Sequence, residues 1–326
     1  MKNKRIGLIT GGWSVDVPHG IAGSNDINKA LSERGYNVIQ FEMDYSRISR
    51  QIKDANVDII IDQTVGKYGE DGIFQYYLEK LKIPYTGSGP STTLIAGDKL
   101  IWKQLVEDAG IPTAPFTMFH KLESDQEAKE KILNRVGLPV IMKPAGGGQG
   151  ICSIGICVAL KEEDLDYCIT ESRKYCTNTL VERYYHRNIG AKEIDVSIIE
   201  DDGKIISLPL AEYVAHTDDL FFKTKYKVQS KEESAKHHSW KIPADISKEM
   251  DSQIHSTAEK IFKLLNMRGF GRIDFMVTEN SFYPTDVTIN PEVSMLTQFG
   301  KSLACAGISY ADFSEILIRN AGLNKI

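Results

Sequence analysis

Cysteine is scarce and unpatterned in this chain. Its five residues, Cys152, Cys157, Cys168, Cys176 and Cys305, are odd in number and form no CxxC pair. No histidines stand at zinc-finger spacing beside them. They read as free thiols in a reducing cytoplasm, not as a disulfide framework. Long apolar runs are missing too: none approaches the ~18 residues of a membrane helix. The start, MKNKRIGLITGG, has the basic residues of a secretory leader, but its apolar run stops at Gly11-Gly12. A basic surplus is also absent. Lysine and arginine number 39 against 44 acids, a net charge of -5, which argues against a nucleic-acid protein. Neither a GxxxxGK[ST] loop nor a GxGxxG turn occurs, so a Walker A site and a dinucleotide fingerprint are both unsupported. No Ser-His-Asp or Cys-His arrangement stands out among the seven histidines.

What remains is a soluble composition, 42% hydrophobic and 25% charged, over 326 residues. That length allows two or three domains. Strand and helix signals alternate through the first hundred residues, with apolar strands at 5–9, 38–41 and 57–61. Helical spacing covers 73–81, and 83–87 returns to the sheet. This alternation predicts a parallel sheet with crossovers. Helices follow at 98–109 and 123–135. Residues 138–143 and 153–158 read as a hairpin with a glycine-rich tip, Gly146 to Gly150. A second hairpin, 193–199 with 204–208, turns at Asp201-Asp202-Gly203. Residues 215–241 are polar, lysine-rich and without period, a loop with the length of a lid that includes His237-His238. An amphipathic helix near 246–265, a hairpin over 269–290 and terminal helices over 301–320 complete the chain.

Three constellations carry chemistry. In the 269–290 hairpin the turn lies near Glu279-Asn280. That register sets Asp274 opposite Asp286, with Arg272 and Thr288 on the same face. Two opposed carboxylates repel, and a cation resolves the conflict. Mg²⁺ suits oxygen ligands shared with phosphates, although a solvated edge hairpin gives the same pattern. The Gly146–Gly150 tip could bring backbone amides to an anion, with Lys143 just before it. The lysines of 223–241 either coat a solvated face or close over phosphates. Asp71 in Gly69-Glu70-Asp71-Gly72 is placed to cap the next helix. Gly11-Gly12 ends the first strand, where a ligand could approach.

These pieces, in this order, resemble the D-alanine–D-alanine ligases of the ATP-grasp superfamily. The resemblance runs nearly end to end. It rests on Gly69-Glu-Asp-Gly72, Pro84-Tyr-Thr-Gly-Ser-Gly89, Asp98-Lys-Leu100, Gly137-Leu-Pro-Val-Ile-Met-Lys-Pro144, Lys225-Tyr226 and Gly269-Phe-Gly-Arg-Ile-Asp274. It implies an α/β and α+β architecture: an N-terminal parallel-sheet domain (1–97), then central (98–185) and C-terminal (186–326) ATP-grasp subdomains. It implies ATP as phosphoryl donor, held by Lys99, Lys143 and the loop residues Gly147, Gly148 and Gln149. Glu182, with Arg183 and Tyr185, would hold the adenine, and Glu193 the ribose. Asp274 and Asp286 would hold one or two Mg²⁺ ions, with Thr288 or Asn290 in place of the usual asparagine. Arg272 would stabilise the tetrahedral intermediate, and Lys225-Tyr226 would close over it. Asp16, Glu70 and Thr297 fall where the amino-acid substrates bind. The implied partners are small amino acids, with a homodimer as the assembly and no nucleic acid or membrane. The length fits one three-part ligase with nothing appended.

The sequence also departs from the family. Asp286-Val-Thr-Ile-Asn-Pro-Glu292 replaces Glu-x-Asn-x-x-Pro-Gly. Val65 stands in place of a histidine, Gln149 of a serine, and Asp16 of a glutamate. The nucleotide half therefore looks intact and the amino-acid half rebuilt. The expected activity is ATP- and Mg²⁺-dependent joining of two amino acids. A dipeptide ligase with other substrates and a non-catalytic nucleotide-binding protein are the alternatives.

Overall fold

The computed structural model describes residues 2–14, 17–146, 155–185, 190–216 and 238–323. Strands β1 (Arg5–Trp13), β2 (Asn37–Glu42) and β3 (Ile59–Gly66) form a parallel sheet in the order β2-β1-β3. Helices α1 (Val17–Glu33), α2 (Ile48–Ala55) and α3 (Ile73–Leu81) follow the strands as crossovers. The predicted return to this sheet at 83–87 reduces to a single bridge between Ile60 and Tyr85. β3 runs five residues past its predicted end because its polar residues satisfy one another. Asp62 accepts from the amide and hydroxyl of Thr64 and from the Gln75 side chain. Gly12 serves packing: a Cβ there would meet the Val65 carbonyl at 2.1 Å.

Helix α4 (Pro90–Ala96) leads into α5 (Lys99–Asp108), where the Asp98 carboxylate caps the amides of Leu100 and Ile101. Strand β4 (Phe116–His120) and α6 (Asp125–Arg135) come next, the helix opened by a Ser124–Glu127 capping box. β5 (Val140–Pro144), β6 (Cys157–Ala159), α7 (Leu165–Ser172) and β7 (Asn178–Arg183) complete an antiparallel sheet ordered β4-β7-β5-β6. β5 and β6 pair as a hairpin, although β6 is shorter than the predicted 153–158, and residues 147–154, which include most of the glycine-rich tip, lie outside the described residues.

The largest sheet contains β8 (Lys192–Asp201), β9 (Lys204–Ser207), β10 (Ala211–Ala215), β11 (His238–Lys241), β12 (Phe270–Val277) and β13 (Phe282–Thr288). Its order is β11-β10-β8-β12-β13, with β9 on β8. Helix α8 (Lys248–Leu264) covers it, its apolar side in one core with Trp102 and Val106 of α5. Helices α9 (Gln298–Cys305) and α10 (Tyr310–Arg319) share a different core with β1, β3 and α1. The two terminal helices thus bind the first sheet to the last.

Two readings need correction. His238 belongs to β11, not to the long loop, because pairing with β10 and stacking on Tyr213 at 4.7 Å satisfy both its backbone and its ring. The free-thiol reading fails at Cys157 and Cys168, which form a disulfide between β6 and α7. Spacing alone hides this pair: α7 folds back over β6 and buries both sulfurs in one core. Cys176 and Cys305 are free, and Cys152 lies outside the described residues. No helix among the described residues is long and apolar enough to cross a membrane.

Candidate active site

The β12–β13 hairpin folds with the expected register. Arg272 faces Thr288 and Asp274 faces Asp286, with a bulge just after Asp274. On its other side Asp274 faces Asp195 of β8. Three carboxylates therefore stand in a row across three neighbouring strands. Such a row is unfavourable without cations, and the protein supplies two. Arg272 grips Asp274 side-on, Nε to Oδ1 at 2.6 Å and Nη2 to Oδ2 at 2.9 Å. Lys99 from the first turn of α5 pairs with Asp286. Burial would raise the Asp286 carboxyl, but Lys99 and Lys143 hold it below the usual carboxylate range. Burial would lower the Arg272 guanidinium, but Asp274 and Asp195 push it well above its ordinary value.

A second charged cluster joins this hairpin to the four-stranded sheet. Glu182 at the end of β7 is 2% exposed and meets two lysines. Lys103 Nζ lies 2.6 Å from Oε1, and Lys143 Nζ lies 2.8 Å from Oε2. The same ammonium groups donate to carbonyls of β13, Lys103 to Pro284 at 3.0 Å and Lys143 to Thr285 at 3.4 Å. Burial opposes the charge on Glu182, yet the two lysines keep it below the usual range. Burial lowers the Lys103 ammonium, with Glu182 working against that shift. The Lys99 amide donates to the Ala145 carbonyl at 2.7 Å, which sets Lys99 beside the start of the glycine-rich segment.

Other predicted residues are more scattered. The Tyr185 ring stacks on Tyr283 of β13 at 5.2 Å, and burial pushes its hydroxyl up to about 12. Arg183 turns its guanidinium to the Leu138 carbonyl. Glu193 comes together with Asp195 and Asp274, their ligand atoms all within 4.8 Å of one another. Thr288 Oγ1 accepts from Arg272 Nη2 at 3.5 Å. Asn290 is directed elsewhere: its Nδ2 donates to the Thr64 carbonyl at 2.6 Å, and Gln63 donates to its Oδ1 at 3.5 Å. Glu70 Oε2 accepts from the Gly66 amide at 2.7 Å. Thr297 opens α9, with its hydroxyl donating to the Ser294 carbonyl at 2.7 Å. Gly72, not Asp71, is the N-cap of α3, and Asp71 one residue earlier accepts from the Ile73 amide at 3.0 Å. Asp16, Gly147, Gly148, Gln149, Lys225 and Tyr226 lie outside the described residues.

Sequence reasoning missed Lys103 and Asp195. Each carries a positional signal. Lys103 is four residues after Lys99 on one helix, so the two share a face. Asp195 is two residues after Glu193 on one strand, so it points the same way. The donor set is of the type a divalent ion takes, since carboxylate oxygens of Glu193, Asp195 and Asp274 converge within 4.8 Å of one another.

Along nearly its whole length the chain is similar to known ligases. A family model described as "D-ala D-ala ligase C-terminus" matches residues 105–319. The D-alanine–D-alanine ligase of Carboxydothermus hydrogenoformans is 31% identical over 318 residues, covering 96% of this chain and 97% of that one. A crystal structure of the D-alanine–D-alanine ligase from Bacillus anthracis superposes with a TM-score of 0.80 at 25% identity, covering 97% of both chains. A structure of the Bacillus anthracis ligase complexed with ATP has the same coverage, a TM-score of 0.78 and 24% identity.

Proposed function

The chain belongs to the D-alanine–D-alanine ligase family, and from that premise we propose that it joins two amino acids at the expense of ATP, with D-alanine as the default substrate. The observation that carries this reading is the facing Asp274–Asp286 pair, with Arg272, Lys99 and Lys143 around it. A carboxylate is a poor electrophile. Transfer of the γ-phosphoryl group of ATP to it makes an acyl phosphate, which an amine then attacks. Such an enzyme works mainly by positioning groups and neutralising charge.

In this proposal Lys99 and Lys143 exchange their carboxylate partners for ATP phosphates. Glu182, with the backbone at Arg183 and Tyr185, holds the adenine, and Glu193 holds the ribose. Asp274 and Asp286 hold Mg²⁺, which when bound neutralises the transferring phosphoryl group. Thr288 is the nearer replacement for the family's asparagine, because Asn290 is turned to β3. Arg272 offsets the oxyanion formed as the amine attacks. Lys225 and Tyr226, with Gly147, Gly148 and Gln149, close over the phosphates and exclude water. Asp16, Glu70 and Thr297 serve the amino acids. The three-part division at residues 97/98 and 185/186, a homodimer and a cytoplasmic location complete the proposal.

A second reading keeps the chemistry and changes the substrates. Glu292 adds negative charge close enough to influence Arg272, and the Thr297 hydroxyl is already engaged by the Ser294 carbonyl. A phosphate-release screen over pairs of D- and L-amino acids, with products identified by mass, separates the two. Release with D-alanine alone and formation of its dipeptide supports the default. Release with another pair supports the second reading. No release with any pair by folded, nucleotide-binding protein contradicts both.

A further inference from the structure

Asp195 has no assigned part in the ligase chemistry, yet it stands in the middle of the site. It is fully buried on β8, directly across from Asp274. Its Oδ2 lies 3.7 Å from Nε of Arg272, the same nitrogen that bonds Asp274 at 2.6 Å. One guanidinium thus lies against two carboxylates, close to the first and within about an ångström of hydrogen-bond distance from the second.

This arrangement matters once Asp274 takes a divalent ion. Arg272 occupies both oxygens of that carboxylate. A side-on arginine–carboxylate pair is among the stronger polar contacts a protein makes, so it competes with the metal. A buried arginine left without its partner is also strongly unfavourable. Asp195 removes the conflict, because a small movement of the guanidinium exchanges one carboxylate for the other. We propose that Asp195 is a positioning residue that receives Arg272 when Asp274 turns to the metal, and so keeps the guanidinium in the site while freeing the metal ligand. The inference rests on the metal-binding reading of Asp274.

The test is a double-mutant cycle on metal affinity, independent of turnover. Mn²⁺ binding is followed by the loss of its free paramagnetic signal, in the presence of a non-hydrolysable ATP analogue and the full chain. Asp195→Asn preserves shape and removes the charge. It is expected to weaken Mn²⁺ binding about tenfold, the lower end of what outer-sphere partners of a metal contribute. In an Arg272→Gln background the competitor is gone, so the same substitution should change affinity by less than about threefold. Equal losses in both backgrounds would mean that Asp195 acts on the ion itself, and no loss in the first would mean that it does nothing; either overturns the inference. If Arg272→Gln does not fold, Arg272→Lys takes its place with the same outcomes for and against, because an ammonium lacks the two-pronged grip. Asp274→Asn is the control. Mn²⁺ binding that ignores this substitution overturns the metal reading and the inference together. Dependence on Asp274 without coupling between Asp195 and Arg272 overturns the inference alone.

Discussion

Among the residues proposed to hold ATP and Mg²⁺, several end against opposite charge. Lys99 meets Asp286, Lys143 meets Glu182, and Arg272 meets Asp274. Of the residues proposed for the amino acids, Glu70 and Thr297 are bonded to backbone, at the Gly66 amide and the Ser294 carbonyl, and Asn290, turned away from the proposed metal, is bonded to the Thr64 carbonyl. The two kinds of bond have different uses. Ion pairs among buried groups can exchange partners when a charged ligand arrives, and they hold the site's charges ready until then. Backbone bonds fix turns and element ends, and breaking them for a ligand costs local structure. On the proposed assignment, the nucleotide side is therefore built for exchange, and the amino-acid side for shape.

This contrast can be broken at either end. The largest effect is expected from Asp274→Asn. It should reduce phosphate release by about 10³–10⁴-fold, the several kcal/mol that a bound metal supplies, with the circular dichroism spectrum unchanged. Near-normal turnover would remove Asp274 from the metal role. Lys103→Met comes next. It leaves Glu182 buried with one cation instead of two, and should cost about 3 kcal/mol in urea unfolding. Lys103→Met combined with Glu182→Gln should recover part of that loss, since the uncompensated charge is then gone. Asn290→Ala removes two contacts that tie the segment after β13 to β3. A stability loss of about 1–3 kcal/mol is expected, with a raised KM for amino acid and an unchanged KM for ATP. A raised KM for ATP alone would place Asn290 on the nucleotide side after all.

Acid gives the smallest and most general effect. Glu182 and Asp286 both titrate below the usual carboxylate range in the folded protein, because lysines outweigh burial. Their contribution to stability is full above the unfolded-state value, about pH 4. It is lost as pH falls through the lower folded-state values. Unfolding free energy should therefore decline below about pH 4, and less steeply in Lys103→Met, where one source of the depression is missing. An identical decline in that variant would assign the acid sensitivity to other carboxylates.

What is legible in the sequence depends on how local each determinant is. The β12–β13 register can be read because strand alternation and one short turn fix it. The α5 start can be read because Asp98 caps its own helix. β3 reads too short, since Asp62, Gln63 and Thr64 look like a strand's end until Gln75 and Asn290 are brought to them by the fold. The Cys157–Cys168 bond is hidden because it depends on how α7 folds back over β6, and the β10–β11 pair because it depends on a strand far along the chain. Lys103 escapes because lysine reads as surface. Its burial becomes reasonable only beside Glu182, which lies on a strand of the four-stranded sheet. Thr288 and Asn290 share a face by simple alternation, but β13 ends at Thr288 and the two side chains part there.

In the proposed reaction this chain activates a carboxylate by moving the γ-phosphoryl group of ATP onto it. The most direct measurement supplies D-alanine with heavy oxygen in its carboxylate, together with ATP and Mg²⁺, and weighs the released phosphate. An acyl phosphate transfers one heavy oxygen into each phosphate on amine attack, and that is the predicted result. Phosphate released without label would show that ATP is hydrolysed by water, and would contradict the ligase reading of the whole site.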